Sequence, residues 1–172
     1  GYELTKEFKK QLEEKSYPSS SIGILGISTG ALTTALAFGE SEIQAMWLDS
    51  AIIDFPLLVE NELERLGYPK MLASPAIAMG ERIIGINPNE VPPMTAASKA
   101  GERPMYLAHG EDDGRISPLH SQMFYDRALA SDANVTLWMI EDSGHVDAVW
   151  ENPEYQGRLV SFFTDALAWN SS

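Results

Sequence analysis

Cysteine is absent from the 172 residues. That excludes a disulfide frame, a cysteine-based zinc site and a thiol nucleophile; it fits any redox compartment, so localisation stays open. Histidine is scarce, with 3 in the chain, and these have neither i, i+4 spacing nor an H-E-x-x-H pattern, so no metal site is indicated. No apolar run approaches the ~20 residues that span a bilayer. Gly1-Tyr2-Glu3-Leu4-Thr5-Lys6 lacks the apolar stretch of a signal peptide. Positive charge is in the minority, 12 Lys and Arg against 25 Asp and Glu, and the net charge of -13 repels nucleic acid and anionic membranes. Gly23, Gly26 and Gly30 do not have G-x-G-x-x-G spacing and no G-K-[ST] follows, so no nucleotide cofactor is expected.

What remains is an ordinary globular composition, 44% hydrophobic, long enough for one domain over 1–172. Leu4, Phe8 and Leu12 share one face of an expected amphipathic helix over 2–15, ended by Pro18. Short apolar runs predict strands at 21–25, 43–48, 104–108 and 135–140. Between and after them, helices are expected at 29–38, 117–131 and 153–169. The first is apolar nearly all round and so expected to be buried. Strands alternating with helices imply βαβ units: an α/β fold, three layers deep, around a mostly parallel sheet. Residues 54–100 break the rhythm. Pro75, Pro88, Pro92 and Pro93 fall there, and the segment reads as short helices near 56–66 and 74–84 with long connections, a cap-like insertion over a pocket. Trp47, Trp138, Trp150 and Trp169 are expected in the core, with Trp150 near enough to the last histidine to line a pocket.

The chemistry concentrates in three places. Gly26-Ile27-Ser28-Thr29-Gly30 is a G-x-S-x-G pentapeptide between an apolar strand and an Ala/Leu-rich helix, the context of a nucleophile elbow. A tight turn there lifts the Ser28 hydroxyl above the strand end, and glycines at 26 and 30 let strand and helix approach. The amide of Thr29, at a helix N-terminus, is placed to donate to a developing oxyanion. Serine is a weak nucleophile and needs a base within hydrogen-bond reach. His145, in the loop after the strand at 135–140, carries an imidazole, the side chain type whose unperturbed pKa lies near neutrality, and suits that task. An acid to orient it is offered by Glu111-Asp112-Asp113 after the strand at 104–108. Asp113, just before a turn glycine, is favoured over Asp112, with Asp49 at a neighbouring strand end as a rival. His109 is read as shaping the acid loop and His120 as structural or exposed.

With the chain order Ser28, Asp113, His145, the sequence resembles the α/β-hydrolase superfamily, in particular prolyl-oligopeptidase-like and acylaminoacyl-peptidase-like serine hydrolases and esterases. The likeness is carried by the stretch from Tyr17 to Gly30, by Leu48-Asp49-Ser50-Ala51, by His109-Gly110 through Asp113, and by Gly144-His145. It implies Ser28 as nucleophile, Asp113 as acid, His145 as base, the Thr29 amide as one oxyanion donor, and no cofactor. The substrate it implies is a small-molecule ester or amide. Relatives often carry a glycine where this chain has Ala31, a mild change. The larger departure is that only residues 1–20 precede the elbow strand, where such a hydrolase has several strands and a loop donating the second oxyanion N–H. The chain thus reads as a C-terminal portion lacking the N-terminal strands. The elbow strand is then an exposed edge, expected to pair with a second copy of the chain or with the missing N-terminal segment. Two other functions fit the same residues: a catalytically incomplete hydrolase fold serving assembly or binding, and an acyltransferase using the same triad.

Overall fold

The computed structural model describes residues 21–84 and 94–167, together with Glu7, Lys10, Gln11, Glu14, Lys15, Tyr17 and Pro18. The apolar face of the expected helix over 2–15, the prolines at 88, 92 and 93, and Trp169 lie outside the described residues.

Four apolar runs form one parallel sheet in chain order: β1 (Gly23–Ile27), β2 (Ala45–Asp49), β3 (Met105–Gly110) and β4 (Val135–Ile140). The register places Ile27 beside Asp49, Asp49 beside Ala108, and Gly110 beside Ile140, so the strand ends that lead to Ser28, to the loop of Asp113 and to the loop of His145 line up at the same end of the sheet. Helices follow as α1 (Thr29–Gly39), α2 (Phe55–Arg65), a 3-10 turn at Lys70–Leu72, α3 (Ala73–Ile84), α4 (Met94–Lys99), α5 (Leu119–Leu129), α6 (Ala148–Glu151) and α7 (Tyr155–Ala166). Parallel strands need such crossovers, and these cover both faces of the sheet.

Alternation along the strands divides the core in two. Met46, Leu48, Met105 and Leu107 point to a cluster with Ala31, Ala35 and Phe38 of α1, Ala96 and Ala97 of α4, and Phe124 and Ala128 of α5. Trp47, Tyr106, Ala108 and Ile140 point the other way, toward Tyr155, Leu159 and Phe162 of α7. There Trp47 stacks on Tyr106 with centroids 4.0 Å apart and meets Tyr155 and Phe162 edge-on. The architecture is therefore helix, sheet, helix, as the sequence indicates. β2 is buried at every position, whereas β1, paired only with β2 among the described residues, leaves Leu25 exposed on the α7 face.

Arg103 ties three elements together. Its guanidinium donates to the carbonyls of Phe38, Ser41, Ile43, Ala100 and Lys99, and sits 4.1 Å over the Phe38 ring. These carbonyls end α1, lead into β2 and close α4, so one planar cation ties together two connections, α1 to β2 and α4 to β3.

The segment 54–100 divides. Asp54 caps α2 by accepting from the Leu57 amide at 2.7 Å, and Pro56 stands in the first turn, where its missing N–H costs nothing. α2 and α3 pack on each other and bury little: no residue of α2 is fully buried, and Met79 and Ile83 of α3 are exposed. α4, by contrast, belongs to the main body. Ala96 packs so closely on α1 that a side chain at Gly39 would lie 3.0 Å from its Cα. Of the tryptophans, Trp47 is core, but Trp150 on α6 is 84% exposed, contrary to the core position expected for it. α6 is only four residues long and buries Ala148 rather than its aromatic.

Candidate active site

Ser28 stands at the sharp turn between β1 and α1, with φ 52° and ψ -122°. A side chain rarely occupies that region, and it persists here because both sides are tied down. The Ser28 amide donates to the Asp49 carbonyl at 2.8 Å, and the Ser28 carbonyl accepts from Ala31 at 3.0 Å. Gly26 is required: a Cβ there would sit 2.7 Å from the Ala31 Cα and 2.6 Å from the Thr34 Cβ. Gly30 is different. A Cβ there meets nothing within 4 Å, so its absence does not serve the close packing expected of it. The Thr29 amide belongs to the first turn of α1, which supplies no acceptor from within the helix.

The loop after β3 is built around Asp113. Oδ1 accepts the amides of Arg115 at 2.9 Å and Ile116 at 2.8 Å, so the carboxylate closes its own turn. Oδ2 lies 2.8 Å from His145 Nδ1, and His145 Nε2 lies 3.0 Å from Ser28 Oγ. A carboxylate only accepts, so Nδ1 carries the proton and Nε2 is free to accept from the Ser28 hydroxyl. Residues 28, 145 and 113 thus form one continuous chain of hydrogen bonds. Burial would raise the Asp113 carboxyl, but hydrogen bonds from His109, the Ile116 amide, His145 and the Arg115 amide outweigh it and hold it well below the usual carboxylate range.

The loop carrying His145 is tightly made. The His145 ring nitrogen is hydrogen-bonded to Asp113 and not to Asp112, whose amide donates to the Ser143 carbonyl at 3.0 Å. Val146, immediately after His145, has φ 64°, an unusual conformation for a β-branched residue and a second point of backbone strain beside this hydrogen-bonded chain.

Asp49, the rival acid, is engaged elsewhere. Oδ2 accepts from the Tyr155 hydroxyl at 2.6 Å and Oδ1 from the Ser50 hydroxyl at 3.0 Å, while Trp47 Nε1 donates to the Tyr155 oxygen at 3.1 Å. Burial raises the Asp49 carboxyl despite those hydroxyls. This network braces the end of β2, whose carbonyl holds Ser28. Nothing in the sequence pairs residues so far apart; an acid at the end of a fully apolar strand is the one signal that a partner is needed.

His120 is buried, and its Nδ1 accepts the amides of Ile53 at 3.3 Å and Asp54 at 3.2 Å, pinning the entry to α2. Burial lowers its pKa to about 4, against 6.5 for the free side chain. The unfolded chain therefore binds a proton that the folded one refuses between those values. Stability is complete above about pH 6.5, falls as pH drops toward 4, and levels off below. The loss expected from this residue is about 3 kcal/mol. In His120→Asn the amide oxygen takes the place of Nδ1 and does not titrate. Urea unfolding across about pH 4–7 is expected to show a flatter dependence in that variant, and an unchanged slope refutes the assignment.

A cleft of about 320 Å³ lies between α2 and the acid loop, with Asn61, Arg65, Arg115 and Ser117 among its walls. No three Asp, Glu or His side chains among the described residues are grouped to hold a metal ion.

No protein-family model matches the chain, and no curated protein matches it. Solved structures do. An acylaminoacyl peptidase from Pyrococcus horikoshii superposes with a TM-score of 0.70 at 20% identity, covering 99% of this chain and 28% of that one. The esterase Pf2001 from Pyrococcus furiosus gives 0.67 at 27% identity, covering 91% and 58%. A puromycin-hydrolyzing peptidase from Mycobacterium tuberculosis gives 0.70 at 17% identity, covering 94% and 24%. The chain spans roughly a quarter of the two peptidases and just over half of the esterase. It therefore has the α/β-hydrolase fold, which it shares with these two peptidases and this esterase.

Proposed function

We propose that the chain is the nucleophile-bearing part of a serine hydrolase that cleaves carboxylic esters, with amides or peptides as further substrates. The observation that carries this is the unbroken path from Ser28 Oγ through His145 to Asp113, with the serine raised on a strained turn. The preference for esters follows the likeness to the esterase Pf2001, at 27% identity.

The steps follow from the geometry. Ser28 Oγ attacks the carbonyl carbon while His145 Nε2 takes its proton. The charge left on the carbonyl oxygen is met by the Thr29 N–H, one donor of an oxyanion hole. Asp113 holds the imidazole in the required tautomer and stabilises it once protonated. The C–O bond to the alcohol then breaks, His145 returns the proton to the departing oxygen, and an acyl group remains on Ser28. Water, deprotonated by the same nitrogen, releases the acid and restores the hydroxyl.

The test is covalent labelling with a fluorophosphonate, read by mass spectrometry. A phosphonyl adduct on Ser28 is the expected result. No adduct in a sample with intact circular dichroism refutes the reading and favours an assembly or binding role. Ester turnover that proceeds only when an alcohol or thiol is added points to acyl transfer rather than hydrolysis.

A further inference from the structure

The acid of the proposed triad answers to more than one histidine. His109, near the end of β3, is fully buried with both ring nitrogens engaged. Nε2 lies 2.9 Å from the Ile116 carbonyl and 3.3 Å from Asp113 Oδ2, and Nδ1 lies 2.7 Å from Ser121 Oγ on α5. The Ile116 carbonyl has no proton to give, so Nε2 carries one. Nδ1 is then bare and accepts from the Ser121 hydroxyl. The Ile116 carbonyl is the nearer acceptor of the Nε2 proton, and Asp113 Oδ2, at 3.3 Å, is a second oxygen within its reach; that oxygen also receives His145 Nδ1–H at 2.8 Å.

We propose that His109 is a positioning residue that sets the basicity of His145: by donating Nε2–H to Asp113 Oδ2, it shares the carboxylate charge that would otherwise fall on His145 alone. The inference rests on the Ser28–His145–Asp113 reading and goes further into it. A carboxylate oxygen that accepts two N–H groups binds each less strongly than one that accepts a single donor. Removing His109 as donor concentrates the charge on His145, stabilises its protonated form, and raises the pH at which it becomes a competent base. Ser121 strengthens the effect: a hydrogen bond into Nδ1 draws electron density from the ring and makes Nε2–H a better donor.

The other charges around these groups are fixed by different elements. Asp49, at the end of β2, acts electrostatically on both His109 and His145. His120, on α5, acts with His109 and Asp113. Asp147 lies in the His145 loop, its carboxylate close to Gly144. None of these donates to Asp113 Oδ2, so a change at residue 109 is read at His145 through Asp113.

Only three histidines are present, so each imidazole resonance can be assigned with single His→Gln variants. The experiment is an NMR titration of His145 in the full chain, in wild type, His109→Leu, His109→Gln and Ser121→Ala, alongside the pH dependence of fluorophosphonate labelling. In His109→Leu the His145 pKa is expected to rise by about half a unit to one unit. The acid limb of labelling should move with it. His109→Gln keeps an amide N–H where Nε2–H was and is expected to titrate close to wild type. Ser121→Ala should shift in the same direction as His109→Leu, by less. A purely structural role lowers labelling equally at every pH and leaves the His145 pKa in place; that result in folded His109→Leu overturns the inference. Should His109→Leu not fold, an unshifted His145 in Ser121→Ala overturns it equally. The titration reads His145 whether or not Ser28 reacts, so a failure of labelling in wild type counts against the hydrolase reading and not against this one.

Discussion

Replacing Asp113 by asparagine is expected to slow phosphonylation of Ser28 by about 10⁴-fold while leaving the fold in place. The fold survives because the asparagine keeps one carbonyl oxygen, which still accepts the Arg115 and Ile116 amides that close the acid loop. The chemistry does not survive, because the NH2 group replaces Oδ2. His145 Nδ1, which donates to Oδ2 at 2.8 Å, now faces a donor and must turn acceptor, moving its proton to Nε2. A protonated Nε2 points its hydrogen at Ser28 Oγ and cannot take the serine proton. The negative charge that would stabilise the imidazolium is lost at the same time. His109 Nε2–H meets the same NH2 group and keeps only the Ile116 carbonyl as its acceptor. The check is the second-order labelling rate beside a thermal melt followed by circular dichroism. A folded Asp113→Asn protein that labels within about tenfold of wild type removes Asp113 from the mechanism. The variant should also lack the part of acid sensitivity that belongs to this carboxylate. Its depressed pKa contributes stability that is complete above about pH 4 and lost as pH falls below that.

The layout of the sheet is legible because each strand is a short apolar run between turn residues. The strand at 135–140 falls where expected, and the elbow strand shifts from 21–25 to 23–27. That shift has a physical reason: Gly26 and Ile27 continue the extended backbone until Ser28 breaks it with a positive φ. The grouping of Ser28, Asp113 and His145 is legible as motif and chain order; their hydrogen-bonded alignment comes only with the folded structure. Other features depend on contacts between distant residues and leave no local trace. Arg103 looks like any surface arginine until five carbonyls converge on it, and Tyr155 looks like the start of an amphipathic helix until it meets Asp49. α4 is hidden because six residues, Met94–Lys99, are too few to show a helical period. Residue type alone places Trp150 in the core, but α6 is too short to bury both Ala148 and the indole. Its place in the motif gives Gly30 a packing role, and only the open space around it shows otherwise.

Gly110→Ala is expected to destabilise the chain by about 3 kcal/mol or more and to cut the labelling rate at Ser28 by at least about 100-fold. Gly110 ends β3 opposite Ile140, where the acid loop and the His145 loop leave the sheet side by side. A Cβ on Gly110 collides with the Ser143 carbonyl oxygen, and lies 2.5 Å from the Gly144 oxygen and 2.7 Å from the Ser143 carbonyl carbon. All three are backbone atoms, so no rotamer change relieves the clash. The two loops are also stitched on either side of it: Glu111 N–H donates to the Ile140 carbonyl at 2.9 Å and Asp112 N–H to the Ser143 carbonyl at 3.0 Å. Making room breaks these bonds or moves residues 143–145 as a unit. The loop has little slack, since Val146 already sits at φ 64°. A displacement of about 1 Å is enough to take His145 out of line with Ser28, and misplacement on that scale typically costs about 10² in rate. Gly30→Ala is the matching control. It lies beside the same serine, its Cβ enters open space, and in the first turn of α1 alanine is expected to leave stability within about 1 kcal/mol of wild type. Urea unfolding and labelling rates of the two variants, measured together, decide the matter. If Gly110→Ala behaves like Gly30→Ala, the close apposition of the two loops is not what holds His145 against Ser28.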